Sequence, residues 1–195
     1  MKKIILVLVL LLAILTVGVS VASAGSIYLP IVNKSEPTPN PDPVLLPNGD
    51  FEQGHKIWEE YSNFGYDIIY PKDEISVTPH SGGWAAWMGG TNNVVETLQQ
   101  TVLVPSDHPY LSFWIWIIST DACDKDFVYV NIGNVRIDKH DLCYSHNTNG
   151  WAQKVYDLRA YSGQNVDLII SVETNATIIS EIFFDDFEFN TSETP

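Results

Sequence analysis

The sequence predicts an all-β fold, a β-sandwich built from two antiparallel sheets. Three observations predict it. From Val44 onward apolar and polar residues alternate over short runs, as in Phe127-Val128-Tyr129-Val130-Asn131-Ile132. Turn-forming residues separate the runs: Pro79-His80-Ser81-Gly82, Gly89-Gly90, Pro105-Ser106-Asp107, Asn147-Thr148-Asn149-Gly150 and Ser162-Gly163. No segment sustains a helical period.

The elements follow in order. Residues 1–24 read as an export signal: Lys2 and Lys3, an aliphatic run from Ile4 to Val19, then Ala22-Ser23-Ala24 as a cleavage site. The alternative is an uncleaved membrane anchor. Residues 25–43 read as a linker, because Pro37, Pro39, Pro41 and Pro43 block helix and strand and favour an extended spacer. The domain then occupies 44–190, with a short tail at 191–195. Its strands are expected at Glu74–Thr78, Trp84–Met88, Val95–Val104, Tyr110–Ile118, Phe127–Ile132, Asn134–Asp138, Trp151–Leu158, Val166–Glu173 and Ile178–Phe189.

Export gives meaning to the two cysteines, Cys123 and Cys143. The Gly133-Asn134 step between two alternating runs reads as a hairpin turn. It lies almost midway between the cysteines, so closing the hairpin brings them together. A disulfide is expected, and it would contribute roughly 3 kcal/mol by chain entropy.

Charge narrows the partners. With 24 acidic and 10 basic side chains the formal net charge is −14. Such a surface repels phosphate backbones and anionic lipid, so neither nucleic acid nor a membrane is an expected partner of the mature chain unless the leader is kept. Catalysis finds little support. The five histidines are scattered, and no serine sits in a nucleophile-elbow context. The expected location is secreted or on a bacterial cell surface, as a monomer.

Three separated pieces fit one known frame: Asn48-Gly49-Asp50-Phe51-Glu52, His80-Ser81-Gly82-Gly83-Trp84 and Phe184-Asp185-Asp186-Phe187. Leu98-Gln99-Gln100-Thr101-Val102, Leu111-Ser112-Phe113-Trp114 and the stretch from Gly150-Trp151 to Gln164 extend the match. Together they resemble the galactose-binding-like jelly roll of carbohydrate-binding modules of families 4, 9 and 22, over roughly Leu46 to Phe189. The resemblance implies that the two ends of the domain lie side by side. It also implies a structural calcium held by Glu52 and by Asp185 or Asp186, with Asp50 as a further candidate. Hard carboxylate oxygens suit that ion. Alternation along the last strand puts Asp185 on the side of Phe183, Phe187 and Phe189, where an inward carboxylate needs a partner. The alternative is a pair of acids that caps a strand edge or accepts hydrogen bonds. A second acidic group, Asp121, Asp124 and Asp126, has loosely the spacing of a calcium loop but lacks the glycine and late glutamate of an EF-hand, so it reads as a solvated loop with turn-forming aspartates.

The aromatic residues point to a ligand. With Val128, Val130 and Ile132, the odd positions from Leu111 to Ile117, and the even positions from Val166 to Val172 in the core, the alternate positions form a second face. It collects Trp114, Trp116, Tyr129, Asn131, Gln99, Glu173 and Ser171. Flat rings beside amides and carboxylates suit the C–H faces and hydroxyls of a sugar. The expected function is a non-catalytic carbohydrate-binding module whose partner is a polysaccharide or glycan. The alternatives are an adhesive or structural surface sandwich without sugar affinity, an accessory module of an extracellular enzyme system, or a face covered by loops.

Overall fold

A computed structural model describes residues 42–193. The expected leader at 1–24 and nearly all of the 25–43 linker lie outside the described residues. Among the described residues two antiparallel sheets pack face to face, with two single turns of 3₁₀-helix as the helical parts. The predicted fold class is the one observed.

The first sheet runs β3 (Ile69–Pro71), β4 (Trp84–Gly89), β11 (Ser180–Asn190), β6 (Tyr110–Ser119) and β9 (Ala152–Asp157), with β1 (Val44–Leu45) also paired to β11. The second runs β2 (Glu59–Ser62), β5 (Val95–Leu103), β10 (Asn165–Glu173), β7 (Phe127–Ile132) and β8 (Val135–Asp141). Alternation makes the core: Leu98, Val130 and Ile170 from one sheet meet Phe113, Ile115 and Ile182 from the other.

Two differences from the sequence reading matter. Glu74–Thr78 is not a strand; it belongs to a loop, 72–83, that lies over the outer face of the six-stranded sheet. Trp151 Nε1 donates to the Thr78 carbonyl at 2.9 Å, and the Ser81 amide donates to Asp185 at 3.1 Å. Conversely, β2 and β3 are strands the sequence does not announce. They are short edge strands, and Glu60 fastens one to the other by accepting the Ile68 and Ile69 amides at 2.6 and 3.0 Å. A strand held by a partly buried carboxylate carries no apolar periodicity.

The ends of the domain meet as the resemblance implies. Leu46 and Phe187 share a backbone hydrogen bond, as do Phe187 and Gly49. Asn48, in left-handed backbone, ties down its own turn through Gly54, Lys56 and Gln53. That turn drives Phe51 into the core against Phe187 (centroids 5.9 Å, edge-on) and Trp58 (5.6 Å). Aromatic packing therefore joins the two ends, each pair contributing about 0.5–1.5 kcal/mol beyond area burial. The hairpin of β7 and β8 sets Cys123 and Cys143 4.9 Å apart at Cα, and they form a disulfide.

Candidate functional site

The carboxylates of the resemblance gather around one turn, 80–84, but on two flanks of it. Glu52 accepts the amides of Gly83 and Trp84 through Oε1, at 2.7 and 2.9 Å. Asp186 accepts the Ser81 hydroxyl at 2.7 Å and pairs with His80. Asp185 accepts the Ser81 and Asp186 amides at 3.1 and 2.8 Å. It is fully buried. Burial, then the neighbouring Asp186, pushes its carboxyl up to about 8, against the opposing pull of the amides. Asp50 stays within its own turn, facing the Glu52 amide at 3.4 Å.

The expected orientation of Asp185 is corrected. It faces outward with Phe183, whereas Phe187 and Phe189 belong to the core. The cause is a β-bulge between Asp185 and Glu188, where Asp186 takes φ 50° and the alternation shifts by one. The bulge lets two successive carboxyls reach one turn. Among the described residues no three His, Cys, Asp or Glu side chains are grouped so as to hold a metal ion. The fit to calcium is therefore partial: Asp185, Asp186 and the Ser81 hydroxyl converge, and Glu52 is engaged on the other flank.

The aromatic face is corrected too. Trp114 and Trp116 lie on β6, in the six-stranded sheet, while Gln99, Tyr129, Asn131, Glu173 and Ser171 lie in the five-stranded one. The two groups are on opposite outer faces of the sandwich. Trp114 is stacked under His80 at 4.0 Å, and Trp116 meets Trp151 edge-on at 6.0 Å, so the 72–83 loop and its anchor occupy them. The other residues do share a face. Ile169 stands between Gln99 and Asn131, and Ser171 between Thr97 and Tyr129. Its rings already carry protein cations: Arg136 sits 4.1 Å over Tyr129 and Lys139 3.6 Å over Phe127.

A pocket that the sequence reading missed lies where β3, β4 and β5 meet. Tyr66, Tyr70 and Trp87 form its walls, and its volume is about 210 Å³. Tyr70 and Trp87 are 5.6 Å apart at 58°. The rear of Trp87 stacks on Phe183 at 5.9 Å, which fixes the ring. Gly90 makes room for it. A Cβ there would come within 2.7 Å of the indole, and its φ of +69° disfavours any side chain.

The polar groups of the pocket are acids. Asp67 lines it beside Tyr66, and Glu96 lies at its base with 2% exposure. Glu96 accepts the Gly89 amide at 2.8 Å and the Ser62 hydroxyl at 3.2 Å. Burial raises its pKa, and those two donors oppose the rise. Tyr70 is also pushed up, first by burial and then by the carboxylates of Asp67, Glu96, Glu60 and Glu74. At the mouth, Tyr66 is 49% exposed and stacks with Phe64 at 5.7 Å. The sequence holds one signal for this site: Trp58, Tyr61, Phe64, Tyr66 and Tyr70 fall within a few turns of chain that show no strand pattern.

No protein-family model matches the sequence, nor does any curated protein. Solved structures do match in fold. A family 61 carbohydrate-binding module, TmCBM61, solved in complex with β-1,4-galactotriose, aligns over 75% of this chain and 97% of its own, at 16% identity and a TM-score of 0.56. The K3 cleaved adhesin domain of Lys-gingipain from Porphyromonas gingivalis aligns over 76% and 98%, at 15% identity and 0.51. The K2 cleaved adhesin domain of Lys-gingipain aligns over 74% and 97%, at 13% identity and 0.50. The chain has the β-sandwich fold of carbohydrate-binding modules, and adhesin domains have it as well.

Proposed function

We propose that the protein is an exported, non-catalytic carbohydrate-binding module that takes a glycan in the Tyr66–Tyr70–Trp87 pocket. One observation carries this reading: a fixed aromatic wall stands over one buried carboxyl, Glu96, and an exposed one, Asp67, in a cavity sized for about one sugar ring. The ring stacks its C–H face on Trp87, and Glu96 and Asp67 accept its hydroxyls. The match to a module solved with β-1,4-galactotriose supports a scaffold able to present such a site. The disulfide and the leader support export, to the medium or the cell surface. Among the described residues no helix is long and apolar enough to cross a membrane.

The test is a glycan screen followed by calorimetry on the exported protein. Trp87→Ala and Tyr70→Ala should each weaken binding by about tenfold or more, the scale of one lost ring contact. Trp114→Ala should leave affinity unchanged, because that ring lies under His80. A wild-type protein that binds no glycan would instead favour the adhesive reading. That rival has its own support in the exposed Tyr61, Phe64 and Tyr66.

We also propose calcium at the 80–84 turn, on one specific ground: Asp185, Asp186 and the Ser81 hydroxyl converge there, and two adjacent carboxylates repel unless a cation lies between them. Asp185 and Asp186 would hold it, with the Ser81 hydroxyl. A melting temperature that is unmoved by calcium and by chelator sinks this proposal.

A further inference from the structure

The cavity between β3, β4 and β5 differs from the other aromatic surfaces in one respect. Where rings of this protein meet a cation, the cation is a side chain: Arg136 on Tyr129, Lys139 on Phe127 and Arg159 on Tyr110. Among the described residues no cation sits on the three rings of the cavity, and no Lys, Arg or His lines it. Its charged groups are Asp67 and the buried Glu96, and Glu181 lies next to the Trp87 indole. A box of π-faces and carboxylates attracts a positive charge from both kinds of wall. A buried carboxylate recovers its lost hydration best from a charged, hydrogen-bonding partner. A neutral hydroxyl supplies only the hydrogen bond. A uronate or sulfated sugar is repelled.

We infer that the cavity takes a hexosamine unit with a free, protonated amine, its ring on Trp87 and its ammonium between Tyr66, Tyr70 and the carboxylates of Glu96 and Asp67. This inference rests on the carbohydrate reading above and narrows it to a cationic sugar. An N-acetylated unit loses the charge and brings a bulkier group. A neutral hexose keeps the stacking and loses the attraction.

Calorimetry with three β-linked trimers of equal length tests it: glucosamine, N-acetylglucosamine and glucose, each at low and high salt. The glucosamine trimer should bind at least about tenfold tighter than the other two, and added salt should narrow the gap. Tetramethylammonium should compete with it. Glu96→Gln and Asp67→Asn should each reduce the preference while thermal melting stays cooperative. If the neutral trimers bind as well as the glucosamine trimer, the amine inference is overturned and the carbohydrate reading stands. If no trimer binds and the wider glycan screen is also silent, both fail together. A preference that survives in the Glu96→Gln, Asp67→Asn double variant also overturns the inference, because the charge would then act elsewhere.

Discussion

Glu96 and Asp185 are both buried carboxyls whose pKa values burial raises, and they sit in different sheets with different surroundings. Asp185 is sealed beneath the 80–84 turn, where amides, Asp186 and His80 surround it. Glu96 accepts an amide through Oε2 and a hydroxyl through Oε1, and it lines the Tyr66–Tyr70–Trp87 cavity. The contrast separates two uses of one costly feature. A carboxyl closed in by its own chain organises a turn. A carboxyl left beside a cavity keeps acceptor capacity for a molecule that arrives later. Burial and a raised pKa therefore do not distinguish a structural acid from a binding acid; the empty volume next to it does.

The largest expected effect tests the structural half. Asp185→Ala strands two amides under the turn, each costing about 1–3 kcal/mol when left unpaired. Urea unfolding should show a loss of about 2–6 kcal/mol, with glycan affinity kept by the protein that remains folded. Glu96→Ala should do the reverse, with a smaller loss of stability and no measurable binding. Equal stability losses in the two variants would break the comparison.

The disulfide sharpens it from a third position. Cys123–Cys143 closes the β7–β8 hairpin, at the opposite edge of the five-stranded sheet from β2 and β5. Removing it by Cys123→Ser with Cys143→Ser should cost about 3 kcal/mol. Affinity should not change, because no pocket residue lies on that hairpin.

Gly90→Ala should affect both halves modestly. The added methyl meets the Trp87 indole at a backbone angle that costs a side chain about 1–2 kcal/mol. The ring shifts, so calorimetry should show a loss of about tenfold in affinity beside that small fall in stability.

The last expected effect is on pH dependence. Both carboxyls have folded pKa values above their ordinary ones of 4.5 and 3.8. Their contribution to stability is complete below those ordinary values. It is lost as pH rises, because the unfolded chain ionises first. For Asp185 the window extends to about 8. In chelator-containing buffer the protein should therefore melt at a lower temperature at pH 8 than at pH 5, as far as these two groups contribute. Asp185→Asn and Glu96→Gln should each flatten part of that slope. A slope unchanged in both variants would show that other groups set it.

Much of the fold is legible along the chain, because it depends on neighbours in sequence. Alternation in β5, β6, β7 and β10 marks which side chains face the core. The Gly133-Asn134 turn places Cys123 opposite Cys143. The Asn48–Glu52 and Phe184–Phe187 pieces imply that the two ends meet, and they do, through Phe51 and Phe187. What escaped lacks a local signature. The bulge at Asp186 is a slip between two strands, so alternation along one strand places Asp185 on the wrong side.

The sequence by itself determined that each strand has an apolar face and a polar one, and that a hairpin and its disulfide close locally. Only the tertiary structure decided which sheet each strand joins. Alternation assigns a side chain to a face of its own strand, and it carries no information about which of two sheets that strand enters. That is why Trp114 and Trp116 stand on the opposite outer face from Tyr129 and Asn131. The pocket depends on the same step. Tyr70, Trp87 and Glu96 sit on β3, β4 and β5, and it is hydrogen bonding of β3 to β4 and the closure of one sheet over the other that brings rings and carboxyl around one cavity.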